Sequence, residues 1–208
     1  MSSRVRLYQG KTSSASWRVR IALALKSIEY EPVWIDLGRG EHLSDEYAAV
    51  TATRQVPCLE IDGQRLFQRV AIVEYLDETR PEPPLLPLDP TDRATVRGLT
   101  EVVNSLIQPL HNKAVRDQLR NQFNTRESSA KSWSRYWIER RLGDLESALI
   151  KTSGRYCSGD QVTIADVFLF PQIEAADRFD VEVTTWPVIS SVSQNLKVLP
   201  AFADSYAA

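Results

Sequence analysis

Apolar residues in the first 80 positions recur at two different spacings, one typical of strands and one typical of helices, and the two alternate along the chain. Short apolar or alternating runs are typical of β-strands, and they occupy residues 5–8, 30–37, 56–61 and 65–67. Apolar residues at helical spacing occupy residues 13–25, 68–78 and, more weakly, 42–50. Asp62-Gly63 separates the last two strand candidates and favours a hairpin. The order βαβαββα predicts a mixed four-stranded sheet, parallel first and antiparallel last.

Beyond Arg80 the strand pattern is lost. Five prolines fall close together and predict a stiff, extended connector: Pro81, Pro83, Pro84, Pro87 and Pro90. Helical periods then occupy residues 94–123, 128–149 and 187–196. Thr163 and Asp166 have the spacing of a capping box, which predicts a further helix start. We therefore expect an α/β domain (1–80), a proline-rich linker (81–91) and an all-helical domain (92–208).

The start of the first predicted helix is the first candidate for chemistry. Ser13, Ser14 and Ser16 precede or open the amphipathic run, where hydroxyl oxygens accept the N–H groups of a first helical turn. A helix N-terminus also carries partial positive charge, which can hold a thiolate and lower its pKa. Taken alone, these serines are better explained as helix caps.

Composition excludes several classes of partner. The chain has 208 residues and a net charge of −2, with no charge block that would indicate nucleic acid or a membrane surface. Apolar runs of about five residues are far too short to span a bilayer, and the N-terminus does not resemble a signal peptide. Two cysteines, Cys58 and Cys157, indicate a reducing, cytoplasmic setting. The two histidines lack the spacing of a metal site.

Three motifs together carry a resemblance to a known family. They are Ser-Ser-x-x-Trp-Arg-Val-Arg-Ile-Ala-Leu at 13–23, Gln-Val-Pro at 55–57 and Thr-Ile-Ala-Asp at 163–166. The chain resembles the glutathione transferase superfamily and, within it, the zeta class of maleylacetoacetate and maleylpyruvate isomerases. The resemblance implies a thioredoxin-like N-terminal domain, a helical C-terminal domain, a homodimer, and glutathione with a conjugated alkene substrate.

The resemblance also implies roles for individual residues. Ser13 or Ser14 would bind the glutathione sulfur, Val56 would present its backbone before a cis Pro57, and Gln68 with Arg69 would receive the γ-glutamyl carboxylate. The full set carried over for glutathione is Ser13, Ser14, Ala15, His42, Gln55, Val56, Pro57, Gln68, Arg69, Gln108 and Asn112. The implied chemistry is addition of the thiolate to a cis double bond, rotation, and elimination.

Four positions depart from the family pattern. Ala15 replaces a common cysteine, and Arg69 replaces a serine, where the guanidinium either pairs with the same carboxylate or lies exposed. Thr12 and Ala114 replace arginines that hold substrate carboxylates, so that Arg178 alone remains. We therefore predict a less acidic conjugated alkene, such as a secondary metabolite, as the substrate.

Three alternatives remain open from the sequence. In the first, Arg178 suffices and the protein is the ordinary maleylacetoacetate isomerase of aromatic amino-acid catabolism. In the second, the same thiolate conjugates or dehalogenates a small acid. In the third, the changed positions mark a glutathione-binding module without catalysis, which the intact Ser13, Ser14 and Gln68 argue against.

Overall fold

A four-stranded mixed sheet forms the centre of the N-terminal part in the computed structural model, which describes residues 4–206. The strands are β1 (Arg6–Gln9), β2 (Glu31–Trp34), β3 (Cys58–Ile61) and β4 (Gln64–Phe67). Their order is β2-β1-β3-β4, with β1 parallel to β2 and the other two pairs antiparallel. Asp62 and Gly63 form the hairpin turn, both with positive φ. The predicted sheet and hairpin are confirmed.

Helices connect and cover these strands. They are α1 (Ser14–Leu25), α2 (Asp45–Ala48) and α3 (Arg69–Thr79). The weak helix predicted over 42–50 is instead a 3₁₀ turn, Glu41–Leu43, followed by α2. Ser44 separates the two because its extended backbone and hydroxyl cap α2, accepting the Tyr47 N–H at 3.2 Å.

α1 is buried on almost every side. Arg18 has no exposed surface and Arg20 is 4% exposed, whereas Ala24, within the run of apolar residues at helical spacing, is exposed. The C-terminal segment of the chain explains part of this burial. Ser205 accepts hydrogen bonds from the indole of Trp17 at 2.9 Å and from Arg20 Nε at 2.6 Å. The spacing of apolar residues within α1 cannot show that a segment 185 to 188 residues later in the chain covers this helix.

The chain divides into two compact units. The first contains residues 4–84 together with 200–206, including the short helix α10 (Pro200–Ala203). The second contains residues 85–199. The segment 200–206 was assigned from sequence to the helical domain, but its contacts with Trp17 and Arg20 place it in the first unit.

The second unit is helical. Its α-helices are α4 (Pro90–Glu101), α5 (Gln108–His111), α6 (Lys113–Phe123), α7 (Glu127–Thr152), α8 (Ile164–Glu174) and α9 (Pro187–Lys197). No helix among residues 4–206 is both long and apolar enough to cross a membrane. The thioredoxin-like sheet unit and the helical unit together confirm the predicted fold class.

The single helix predicted over 94–123 is wrong. A π-helical segment, Val102–Ile107, follows α4, and the extended backbone of Asn112 (ψ 147°) separates α5 from α6. Pro109 explains the first irregularity, because proline has no N–H and its ring clashes with the preceding helical turn. Asn112 then caps α6 by accepting the Ala114 N–H at 3.2 Å.

The capping box at the start of α8 is confirmed. Asp166 accepts the backbone N–H of Thr163 at 2.8 Å and also its hydroxyl at 2.8 Å. The same carboxylate accepts the Cys157 N–H at 2.9 Å, although Asp166 is fully buried. The box therefore fixes the preceding loop as well as the helix.

Candidate active site

The turn between β1 and α1 is held by three hydrogen bonds. Ser13 is the N-cap, and its Oγ accepts the Ser16 N–H at 3.2 Å. Gly10 accepts the Ser13 N–H at 3.2 Å and donates its own N–H to Ser16 Oγ at 3.2 Å. Ser13 and Ser14 are half-buried, whereas Ser16 is fully buried. Ser16 therefore builds the turn, and the two serines before it remain accessible at the helix start.

The segment before β3 is fixed by a tyrosine that sequence reasoning missed. The Val56–Pro57 peptide is cis, as predicted. The paired register of β3 begins at Cys58, so the backbone of half-buried Val56 lies outside the ladder. Tyr47 donates its hydroxyl to the Gln55 carbonyl at 2.9 Å, and burial raises the pKa of Tyr47, which keeps this donor protonated. Only the fold shows this contact, because Tyr47 lies in the weakest helical pattern.

Gln68 and Arg69 open α3. Gln68 is exposed and has a φ of 69°, a left-handed conformation that is uncommon for residues other than glycine. Such strain concentrates at functional positions. Arg69 is the first helical residue and is half-buried. The strained residue thus places both side chains at the N-terminus of a helix, where anions bind.

A second arginine, Arg18 of α1, is affected by the charge of Arg69. Burial lowers the pKa of Arg18 well below its ordinary value, and the charge of Arg69 lowers it further. The two guanidinium groups are therefore close enough to repel each other. Arg18 belongs to the family motif but was not predicted as a site residue, because its charge within a buried helix is the only sequence signal.

The remaining predicted residues of the first unit differ in exposure. Thr12 is exposed ahead of α1, and Ala15 is buried in the first turn. His42 is half-buried in the 3₁₀ turn. Gln55 is exposed.

The predicted residues of the second unit lie on α5, between α5 and α6, on α6 and in a 3₁₀ segment. Gln108 is buried at the start of α5, and Asn112 is exposed between α5 and α6. Ala114 is exposed in the first turn of α6. Arg178 is exposed in the 3₁₀ segment Ala176–Phe179. The Asn112 side-chain oxygen caps α6, so this residue has a structural role that the sequence did not predict.

One row of the sheet brings three segments with predicted glutathione residues together. Tyr8 pairs with Cys58, and Cys58 pairs with Phe67. The chain continues from Tyr8 toward Ser13, enters Cys58 from Pro57, and leaves Phe67 into Gln68. The register therefore gathers three segments, 13–14, 56–57 and 68–69, at the same end of the sheet.

Comparisons with known proteins show the family to which the chain belongs. Residues 3–78 match the family model for the glutathione S-transferase N-terminal domain. The chain is 44% identical over 202 residues to maleylacetoacetate isomerase of Rattus norvegicus, which covers 96% of this chain and 91% of that protein.

Two solved structures are also similar over nearly the whole chain. The holo structure of a maleylpyruvate isomerase, a bacterial zeta-class glutathione S-transferase, has a TM-score of 0.93 and 38% identity, covering 96% of this chain and 95% of that one. Maleylacetoacetate isomerase from Anaeromyxobacter dehalogenans with bound glutathione has a TM-score of 0.87 and 38% identity, covering 99% and 96%.

The comparisons bear on the substrate as well. The relatives are named as isomerases of maleylacetoacetate or maleylpyruvate, so the less acidic substrate predicted from Thr12 and Ala114 is not supported. The ordinary isomerase, which the sequence left as an alternative, is favoured. The chain belongs to the glutathione transferase superfamily and, within it, to the zeta class of maleylacetoacetate and maleylpyruvate isomerases.

Proposed function

We propose that the protein is a glutathione-dependent cis–trans isomerase of a maleyl keto diacid such as maleylacetoacetate or maleylpyruvate. The observation that carries the proposal is the row of paired residues Tyr8, Cys58 and Phe67 in the sheet. This row brings together the serines at the start of α1, the unpaired backbone before β3 and the arginine at the start of α3. Sequence similarity over 96% of the chain to a maleylacetoacetate isomerase supports the reaction class.

The residues at this end of the sheet fit glutathione. Val56 presents backbone groups outside the ladder, where an extended cysteinyl unit can add as a short strand. Gln68 and Arg69, at the N-terminus of α3, fit an α-amino acid carboxylate. Ser13 and Ser14 lie at the N-terminus of α1, where a sulfur anion is favoured.

The protein makes the glutathione thiol more acidic, orients the two reactants and stabilises the negative charge of the thiolate. When bound, glutathione supplies reversible nucleophilic addition, which turns the substrate double bond into a single bond that can rotate. A hydroxyl of the first turn of α1 donates to the sulfur, and the helix N-terminus favours the thiolate form. Binding both reactants at fixed positions supplies much of the acceleration, because correct orientation replaces a bimolecular encounter.

The test is to follow the ultraviolet absorbance of maleylpyruvate and maleylacetoacetate with purified protein and glutathione. We expect isomerisation that requires glutathione and is lost when S-methylglutathione, which has no free thiol, replaces it. Absence of turnover above the uncatalysed rate for both diacids would contradict the proposal. A product whose mass includes glutathione would instead identify a conjugating transferase.

We also propose that the protein acts as a homodimer, as the resemblance to zeta-class transferases implies. The test is sedimentation velocity across a range of concentrations. A single species at the mass of one 23.6 kDa chain would contradict this proposal.

A further inference from the structure

The ring of Phe179 is contacted by a cation from another helix. Arg116 of α6 places its guanidinium carbon 5.4 Å from the centroid of the Phe179 ring, within the range of a cation–π contact. Phe179 is buried, and its ring also lies 5.2 Å from that of His111. Since Phe179 directly follows Arg178, the contact brings Arg116 of α6 close to the segment that carries Arg178.

Packing against the protein holds Arg116 in this position. His111 Nε2 lies 3.1 Å from Gln172 Oε1, which fixes one neighbour of the ring. Arg116 Nε is buried and has no hydrogen-bond partner among the described residues. The ring that the guanidinium covers therefore helps to position it. Its terminal nitrogens are the groups that can bind a ligand, although one of them lies 3.7 Å from Glu127.

Arg116 is also the cation of α6 whose charge is least neutralised. Lys113 Nζ lies 2.5 Å from Asp117, and Arg120 binds Asp117 and Glu127 at short range. Arg116 has only a 3.7 Å contact to Glu127, a carboxylate already bound by Arg120. Among these three, Arg116 is therefore the side chain best able to accept an anion from outside.

We propose that Arg116 and Arg178 together bind carboxylate groups of the maleyl substrate, an inference that rests on the proposed isomerase function. Arg116 takes the place of the arginine that the family resemblance leads us to expect at Ala114. Position 116 lies about 200° around the helix from position 114. A sequence alignment alone therefore does not suggest that Arg116 replaces an arginine at position 114. The contact with Phe179 makes it possible.

The first test measures carboxylate binding without turnover. Isothermal titration calorimetry with maleate, in the presence of S-methylglutathione, compares the wild type with Arg116→Gln, Arg116→Lys and the control Arg135→Gln. Arg135 is an exposed arginine of α7 that pairs with Glu139. We expect Arg116→Gln to weaken maleate about tenfold or more, Arg116→Lys to weaken it less, and the control to match the wild type.

The monomethyl ester of maleate completes the test, because it lacks one carboxylate. We expect this ligand to bind the wild type more weakly than maleate and to lose much less affinity than maleate does on Arg116→Gln. Unchanged maleate affinity in Arg116→Gln, or no maleate binding to the wild type at millimolar concentration, would overturn the inference. The turnover assay with glutathione reports on the proposed function separately, because these titrations contain no free thiol.

Kinetics provide an independent readout. With the keto diacid as substrate, Arg116→Gln should raise KM about tenfold while kcat changes less. Circular dichroism confirms that each variant is folded. A fall in kcat with unchanged KM would contradict a role in holding the substrate carboxylate.

Discussion

Lys26 Nζ lies 2.7 Å from Asp77 Oδ1, and the lysine side chain is completely buried. Lys26 is the C-cap of α1, and Asp77 belongs to the last turns of α3. The same ammonium donates to the Pro83 carbonyl at 2.5 Å, so one cation joins two helices and the chain segment that leaves the first unit. Because α1 and α3 each begin at the proposed glutathione site, this ion pair sets their relative position from the opposite end.

We expect Lys26→Met to destabilise the protein by about 3–5 kcal/mol, because the buried Asp77 carboxylate would lose the ammonium group that lies 2.7 Å from it. The double variant Lys26→Met, Asp77→Leu should recover much of this loss, since it removes both charges. Urea unfolding of the single and double variants measures the coupling. A double variant whose loss equals the sum of the two single losses would show that the pair is not coupled.

Alanine variants of Ser13 and Ser14 should show which serine stabilises α1 and which contacts the glutathione sulfur. Ser13→Ala removes the N-cap oxygen of α1 and should cost about 1 kcal/mol of unfolding free energy, whereas Ser14→Ala should leave stability unchanged. The ultraviolet absorbance of the bound glutathione thiolate, titrated with pH, reports the thiol pKa. We expect the serine that contacts sulfur to be the one whose removal raises this pKa, and no change in either variant would refute the proposed hydrogen bond from a serine hydroxyl to the sulfur.

Arg69 should affect glutathione binding and stability in opposite directions. Arg69→Ser removes a cation from the proposed carboxylate site, so we expect glutathione affinity to fall by about tenfold or more. The same change removes repulsion on buried Arg18 and should raise the melting temperature of the ligand-free protein. Arg4→Gln, two residues before β1, provides the exposed control. Unchanged affinity would mean that Arg69 contributes no binding contact.

Neither cysteine should react in the folded protein. Cys58 and Cys157 have 0% and 1% exposure, and burial raises both thiol pKa values, that of Cys58 to about 11. At this pKa roughly 1% of Cys58 is thiolate at pH 9, and the thiolate is the reactive form. A disulfide exchange reagent should therefore label no cysteine before denaturation and two after it. Activity that is lost on labelling the native protein would contradict this prediction.

Asp166 should make stability depend on pH with an unusual sign. Burial raises the pKa of Asp166 even though the Cys157 and Thr163 donors lower it. A carboxyl whose pKa is higher in the folded state binds protons more readily when folded, so its contribution to stability is lost as pH rises. Relative to Asp166→Asn, the wild type should lose stability as pH rises above about 3.9, the ordinary pKa of aspartic acid. Urea unfolding at a series of pH values measures the unfolding free energy of the wild type minus that of Asp166→Asn. We expect this value to fall as pH rises, and a value that rises with pH would contradict the prediction.

The sequence alone determined the order of elements in the first unit and several local structures. Periods of two and of 3.6 residues reflect which side chains face the core, and this is a property of neighbouring positions. Asp62-Gly63, the Ser13 cap and the Thr163–Asp166 box were predictable because each acts within a few residues. The resemblance then predicted a glutathione site at the segments 13–14, 56–57 and 68–69, although it could not describe which contacts support them.

The tertiary structure decided the features that join distant parts of the chain. Tyr47 holds Gln55, Ser205 covers α1, and Arg116 lies over Phe179. The irregularity between α4 and α6 also appeared only in the fold, because a helical period continues through Pro109 and Asn112. Contacts of this kind depend on packing between segments that are remote in sequence, and a periodic pattern contains no information about which surfaces meet.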